Sequence, residues 1–248
     1  MSTETYKQEC FHVDFMKQYL TSEYALDLVV FLDTKIKWPI DDEKQKNKRR
    51  CNVNYGDDNV SYTLERRPVR AQDGAAVGSA VRDDSGGYSS ETAALPRRVA
   101  LVRVCNPWDN PDDPVAKIIK QLADMISKST GQKVNYVRVQ RYPNRKVGIP
   151  AHRDAELTPG TPIIGLSLGD ERRMIFTPVS EFGEPLTVWL PSGSLYVIRG
   201  MTNQYYTHCI EKEDDIGGLR ISLTFCYSPP NSEAKEITEK AVKESLLG

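Results

Sequence analysis

The segment NYVRVQRYPNRKVGIPAHRDAE, residues 135–156, decides how the rest of this chain is interpreted. Its first half alternates apolar and polar side chains, which is typical of a β-strand with one buried face. Its second half ends in a His-x-Asp pair, His152 and Asp154. The segment therefore predicts a strand followed by a candidate pair of metal ligands.

A second histidine completes a candidate metal site. The chain has three histidines, and His208 ends another strand-like run. Two imidazoles and one carboxylate on one face of a ferrous ion leave its other positions open for a co-substrate and O2. Three alternatives remain at this point: a surface turn at His152 and Asp154, a core histidine at His208, or a zinc site with the same ligand types. The third histidine, His12, is interpreted as an ordinary, partly buried residue.

The runs around these residues favour a β-rich core. After Val134, six strand-like stretches are separated by glycine and proline, which suggests a sandwich or a jelly roll. They read VNYVRVQRY, TPIIGLSLG, RRMIFTPV, PLTVWLP, GSLYVIRG and GLRISLTFCY.

Arg220 opens the last of these apolar strands. A guanidinium at that position is expected to lie deep between two sheets. Burying its charge there costs free energy unless a carboxylate pairs with it. The strand itself contains no acid. The expected partner is therefore a ligand, a small dicarboxylate that chelates the metal through its other end. Hydrolysis at a zinc site would give Arg220 no role.

Composition excludes several classes of protein. The 248 residues carry a net charge of −1, so any basic surface must be local. The five cysteines lack Cys-x-x-Cys spacing, which argues against a disulfide framework and a structural zinc knot. No apolar run approaches the roughly 20 residues that a membrane span needs, and the N-terminus has no signal-peptide pattern. These features predict an intracellular protein of the cytoplasm or nucleus that does not cross a membrane.

Outside the strand-rich region, the pattern predicts helices and loops. Ser22 is expected to cap a first helix, and a second helix is expected over 113–129. Residues 52–64 read as two short strands around a Gly-Asp turn. Residues 71–94 are rich in Gly, Ala, Ser and Asp and are interpreted as a flexible insertion, and residues 233–247 as a charged helix.

Taken together, these motifs resemble the AlkB-like subgroup of Fe(II)/2-oxoglutarate dioxygenases. The resembling segments are collinear: 135–156, 162–169, 191–208 and 220–225, with a weaker similarity in NYGD at 54–57. The resemblance implies an α+β fold with a double-stranded β-helix (jelly roll) core, N-terminal helices and a nucleotide-recognition-type extension. It implies an N-terminal extension over 1–98, a catalytic core over 99–230 and a C-terminal tail over 231–248.

The resemblance also implies roles for individual residues. The implied ligands of Fe(2+) are His152, Asp154 and His208, and the implied contacts of the co-substrate 2-oxoglutarate are Arg220, Tyr142, Gln140 and Ser222. The implied contacts of a target base are Glu156, Tyr55 and Tyr62. For the tyrosines the alternative is a structural aromatic, and for Glu156 it is a solvated loop acid.

Two positions depart from the family pattern. Gln140 stands where the family usually has asparagine, and Cys226 stands where close members carry a second arginine. The chain therefore loses one fixed positive charge near the co-substrate. Either another arginine substitutes or the affinity for the co-substrate is lower, and the candidates nearby in sequence are Arg172, Arg173 and Arg199.

The implied activity is oxidative demethylation of N-alkylated bases, such as 1-methyladenine or 3-methylcytosine, in DNA or RNA, as in repair of alkylated nucleic acid. The target base would be in a single strand or flipped out of a duplex. The enzyme is expected to be a monomer. Basic residues within 44–50, 66–70 and 138–146 are available for phosphates. Two alternatives remain: an oxygenase of a protein or small molecule, and a non-catalytic RNA-binding module on the same fold.

Overall fold

The computed structural model describes residues 2–8, 10–39, 48–57, 60–65, 98–103, 105–155, 157–180, 183–215 and 217–246. Within this part of the chain, the helices are α1 (Ser22–Lys35), α2 (Pro114–Thr130), α3 (Thr202–Tyr205) and α4 (Asn231–Leu246). The strands are β1 (Glu4–Gln8), β2 (Phe11–Met16), β3 (Cys51–Gly56), β4 (Val60–Glu65), β5 (Arg98–Arg103), β6 (Asn106–Pro107), β7 (Tyr136–Tyr142), β8 (Ile149–His152), β9 (Ile163–Gly169), β10 (Arg172–Pro178), β11 (Leu186–Leu190), β12 (Ser194–Ile198), β13 (Tyr206–Ile210) and β14 (Arg220–Cys226).

Two sheets of unequal size form the core. The major sheet has the strand order β1-β2-β12-β9-β14-β7-β3-β6, and the minor sheet has the order β11-β10-β13-β8. Neighbours in sequence are often not neighbours in space, since β9 lies between β12 and β14, and β13 lies between β10 and β8. Two facing sheets joined by such crossover connections form the jelly roll that the sequence predicts.

The major sheet is covered on both faces, which explains its composition. One face packs against α1 and α2 through residues such as Leu166 and Leu223, and the other faces the minor sheet through residues such as Ile163 and Tyr196. A strand covered on both sides reads as a continuous apolar run rather than an alternation. β9, IIGLSLG, shows this, because its first six residues are all buried.

Capping residues fix the two long helices that cover this sheet. Asp113 caps α2, where its Oδ1 accepts hydrogen bonds from the backbone N–H groups of Val115 and Ala116, and Gly131 ends the helix with a positive φ of 69°. The cap of α1 is Thr21, whose hydroxyl accepts from the N–H of Tyr24. The prediction that Ser22 caps this helix is therefore wrong by one residue.

The N-terminal segment contributes strands to the major sheet. β2 pairs with β12, and β3 pairs with β7. β4 does not continue from β3 into this sheet but pairs with β5 in a separate two-stranded sheet, so the two strands predicted within 52–64 form but belong to different sheets. The proposed division of the chain at residue 98 stays a prediction, and the insertion predicted at 71–94 lies outside the described residues.

Candidate metal centre and its cavity

Strand pairing in the minor sheet brings two of the predicted ligands together. β8 and β13 run antiparallel with His152 directly opposite His208. Side chains that are opposite each other across such a pair project from the same face of the sheet. The two imidazole rings accordingly lie 4.4 Å apart, centroid to centroid.

Asp154 follows β8 and completes the group. Its Oδ1 lies 3.7 Å from Nε2 of His152, and its Oδ2 lies 3.8 Å from Nε2 of His208. Ligand atoms bound at about 2 Å from a shared ion can be up to about 4 Å apart, so these separations fit one ion. The side chains predicted to hold a metal thus converge, with donor atoms within 4.8 Å of one another.

Both imidazoles are prepared for coordination. Nδ1 of His152 lies 2.9 Å from the carbonyl oxygen of Pro150. Because a carbonyl can only accept, Nδ1 carries the proton and Nε2 keeps its lone pair for a metal. Burial lowers the pKa of His208 to about 4, an effect that Asp154 opposes. His208 is therefore neutral at pH 7, the form that coordinates a cation.

Asn203 holds the backbone of Asp154, a contact that the sequence did not reveal. Its Oδ1 accepts a hydrogen bond of 3.0 Å from the Asp154 N–H, and its Nδ2 donates one of 3.1 Å to the Asp154 carbonyl. Asn203 lies in α3, and its side chain is buried. This two-point contact fixes the loop that carries the carboxylate toward both imidazoles.

Replacing Asn203 with alanine is expected to weaken metal binding by about 10- to 100-fold, the range typical for groups that orient metal ligands. The reason is that the N–H of Asp154 loses its partner and its carbonyl keeps only the hydrogen bond from the Leu157 N–H, so the carboxylate is held less firmly. Co(II) titration followed by visible absorption measures the affinity. Tyr205→Ala, at the exposed neighbouring position, is the control. Equal affinities in both variants would show that Asn203 does not position Asp154.

Arg220 lies on the facing strand of the major sheet with two donors unsatisfied. Only 1% of the residue is exposed. Its Nε donates to the hydroxyl of Ser167 at 3.0 Å, while Nη1 and Nη2 have no hydrogen-bond partner in the described part of the chain. A buried guanidinium without an acid is costly. Its two orphaned nitrogens are the pair that binds a carboxylate in a bidentate manner.

The cavity between the sheets joins Arg220 to the metal ligands. The residues expected to contact the co-substrate, Tyr142, Gln140 and Ser222, line it together with the three candidate metal ligands. Tyr142 lies opposite Arg220 in the β7–β14 pair, and its ring centroid is 5.0 Å from the guanidinium carbon. The predicted metal and co-substrate contacts therefore share one space.

Tyr196 is a further wall of the cavity that sequence reasoning missed. Its ring crosses the neighbouring strand at Gly165, where a Cβ atom would lie only 2.0 Å from the ring. Burial raises the pKa of its phenol, so the hydroxyl stays protonated. Gly165 is therefore required for this ring to reach the cavity, and alternation in the apolar run of β9 gave no sign of it.

The predicted substrate contacts are not brought together in the same way. Tyr55 is 4% exposed and packs in the helix-side core, on the face of the major sheet turned away from the cavity. It cannot stack on a base bound in the cavity, which corrects the expectation. Tyr62 lies in β4, opposite Leu101, but its side chain and Glu156 lie outside the described residues.

The three arginines considered as substitutes for the charge missing at Cys226 are engaged elsewhere. Arg172 is buried and donates to three backbone carbonyls, and Arg199 pairs with Asp14. Arg173 contacts Glu211 and the ring of Trp189. None of the three is among the described residues that line the cavity.

Comparison with known proteins identifies the family. A sequence model of the 2OG-Fe(II) oxygenase superfamily matches residues 14–225, and the chain belongs to this superfamily. DNA oxidative demethylase ALKBH2 of Mus musculus is 31% identical over 121 residues, covering 45% of this chain and 51% of the relative. For ALKBH2 of Homo sapiens the identity is also 31%, covering 46% of the relative. The chain thus matches about half the length of these curated relatives, which confirms the AlkB-like resemblance.

A solved structure supports the fold assignment. The structure of OsALKBH1 aligns over 91% of this chain and 99% of its own length, with a TM-score of 0.52 and 13% sequence identity. At that identity the likeness concerns the fold alone. The cofactors of the superfamily are Fe(II), 2-oxoglutarate and O2, and the residues present fit them: a His, Asp, His donor set faces a buried arginine with two unsatisfied donors.

The described helices include none that is both long and apolar enough to cross a membrane.

Proposed function

We propose that this protein is an Fe(II)/2-oxoglutarate-dependent dioxygenase that removes N-linked methyl groups from nucleobases in DNA or RNA. The observation that carries the chemistry is the pair of orphaned Arg220 donors in the same cavity as His152, Asp154 and His208. The similarity to proteins named DNA oxidative demethylases supports the substrate class. 1-Methyladenine and 3-methylcytosine are the proposed targets.

In this proposal each side chain has one task. His152, Asp154 and His208 hold the iron, and Arg220 anchors the distal carboxylate of 2-oxoglutarate. Tyr142, Gln140 and Ser222 complete the co-substrate pocket. Iron with 2-oxoglutarate and O2 supplies the oxidation of a methyl C–H bond to C–OH, with release of succinate and CO2. The hydroxymethyl group then leaves the base nitrogen as formaldehyde.

Substrate contacts would come from the open side of the cavity and from Glu156 and Tyr62. A base must leave its stack to reach the metal ligands, so a single-stranded or flipped target is proposed. We also propose that the enzyme acts as a monomer. Phosphate contacts must come from other cations than Arg141 and Arg145, because these arginines are ion-paired with aspartates within the protein.

The expected result with methylated oligonucleotides is loss of one CH2 in mass together with release of formaldehyde. DNA and RNA strands that carry 1-methyladenine or 3-methylcytosine would be incubated with Fe(II), 2-oxoglutarate and O2 and followed by mass spectrometry. The matched unmethylated strands and the Asp154→Ala variant serve as controls.

Different outcomes would separate the competing functions. Demethylation of methylated peptides alone would defeat the nucleic-acid assignment but keep the oxygenase. Binding of RNA without any visible charge-transfer band on anaerobic addition of Fe(II) and 2-oxoglutarate would defeat the enzyme itself. Since phosphate contacts are strongly screened, binding and turnover should both be measured at several salt concentrations.

A further inference from the structure

Arg138 is a second arginine in the wall of the cavity, and the sequence predicted for it only a phosphate contact, as one of the basic residues within 138–146. It lies in the middle of β7, is partly exposed and lines the same cavity as Arg220. Alternation along β7 places it on the face of Tyr142 and Gln140. Its cross-strand partner in β14 is Thr224, which also lines the cavity.

The pairing of β7 with β14 sets the two arginines at opposite ends of a short ladder. Arg220 pairs with Tyr142 at one end, and Thr224 pairs with Arg138 four residues further along β14. Four residues of a strand span about 13 Å between Cα atoms. Arg220 and Arg138 thus line the cavity at two positions along the β7–β14 pair. The metal-ligand residues line the same cavity from the side of the minor sheet.

This arrangement matches the charge pattern of 2-oxoglutarate, which has a carboxylate at both ends. If Arg220 binds the distal carboxylate, the carboxylate at the keto-acid end lies beside the metal. β14 has no cationic side chain at the end near the keto acid. Its last residue is the buried Cys226, which lies opposite Tyr136. Arg138 is the diagonal neighbour of Cys226 across the strand pair, a spacing of about 7–8 Å that long side chains cross.

We infer that Arg138 binds the keto-acid carboxylate of 2-oxoglutarate and supplies from β7 the positive charge that β14 lacks at Cys226. The inference rests on the proposed 2-oxoglutarate-dependent activity. The two arginines thereby bind the two carboxylates at opposite ends of one ligand. Arg220 selects for a dicarboxylate, and Arg138 contributes to the affinity for any 2-oxo acid that chelates the metal.

Two acids separate these roles. 2-Oxoglutarate and 2-oxopentanoate share the keto-acid end, but only 2-oxoglutarate has the distal carboxylate. Each is titrated anaerobically into the Fe(II)-loaded full chain, and the dissociation constant is read from the visible charge-transfer band. Arg138→Ala is expected to weaken both acids by a similar factor of about tenfold, the size of one lost charge-assisted hydrogen bond. Arg220→Ala is expected to weaken 2-oxoglutarate alone.

Arg173→Ala is the matched control, because Arg173 is also a partly exposed strand arginine but lies outside the cavity lining. Arg138→Lys keeps the charge without the planar fork and is expected to fall between Arg138→Ala and the unchanged protein. Thermal unfolding without ligand checks that each variant is folded, and Arg138→Met preserves side-chain bulk if the alanine variant is not.

Three results would overturn the inference. Unchanged affinity for both acids would remove Arg138 from the co-substrate site. A loss confined to 2-oxoglutarate would assign Arg138 to the distal carboxylate, and a loss confined to methylated oligonucleotides would assign it to the substrate. Because the titration reads binding of the acids alone, a failure to demethylate nucleic acids would leave its outcome unaffected.

Discussion

Asp154→Ala is expected to abolish succinate release and to weaken Fe(II) binding by more than the roughly 10- to 100-fold that loss of an orienting group costs. Asp154 is the only carboxylate in the described donor set and lies within 4 Å of both imidazole nitrogens. Its loss leaves two neutral ligands, which removes the negative charge that balances the cation. Metal affinity by competition with a coloured chelator and succinate release by mass spectrometry measure the two effects.

The matched control for this change is Asp124→Ala. Asp124 lies on the exposed surface of α2, where its carboxylate pairs with Lys120. Removing a charge there should leave both measurements unchanged, since an exposed pair contributes little to stability. An Asp154→Ala protein that still binds Fe(II) like the control would contradict the assignment of this carboxylate to the metal centre.

The family resemblance proposed most residues of the candidate site, and alternation along the strands agrees with the face on which they lie. In β7 and β14, every second residue faces the cavity, so Tyr142 and Gln140 follow from the period of two once one of them is placed. The pairing that joins them, Arg220 with Tyr142 and Ser222 with Gln140, depends on strand order. Only the family resemblance supplied that order, since alternation fixes faces but not neighbours.

Tyr55 shows how the same signal was overlooked. The segment CNVNYG of β3 alternates, and it groups Tyr55 with Val53 on one face and Asn52 with Asn54 on the other. The structure buries Tyr55 and packs Val53 against the same core, beside the helices. The aromatic chemistry of Tyr55 suggested stacking on a base, whereas its position in the alternation indicated the core.

Asn203 and Arg172 could not be assigned from sequence in this way. Asn203 acts on Asp154 through a contact 49 residues away in sequence, within a four-residue helix that has no periodic pattern. Arg172 is as buried as Arg220, yet backbone carbonyls of three residues accept its hydrogen bonds. A buried arginine therefore indicates a ligand only when its Nη atoms lack protein partners, as in Arg220 but not in Arg172, and that is a property of the packed chain.

Arg220→Ala is expected to raise the dissociation constant of 2-oxoglutarate by roughly 100-fold, because two charge-assisted hydrogen bonds to one carboxylate are lost together. Arg220→Lys should lose about tenfold, since an ammonium keeps the charge but cannot bind both oxygens in a planar fork. Anaerobic titration of the Fe(II)-loaded protein with 2-oxoglutarate measures both values. Equal affinities in the Arg220→Lys variant and the unchanged protein would indicate that charge, and not the bidentate geometry, determines binding.

The stability of the ligand-free protein gives a second, opposite test of the same residue. Arg220 buries a positive charge whose Nη atoms have no partner in the described structure, so Arg220→Met, which fills the space without charge, should leave thermal stability unchanged or raise it. The stabilisation that added 2-oxoglutarate gives the unchanged protein should disappear in this variant. Arg172→Met is the contrasting change, because it removes a guanidinium that donates to three carbonyls, and it should destabilise the protein with or without ligand. If Arg220→Met also unfolded at a markedly lower temperature without ligand, Arg220 would be a structural residue like Arg172, and not one held ready for a carboxylate.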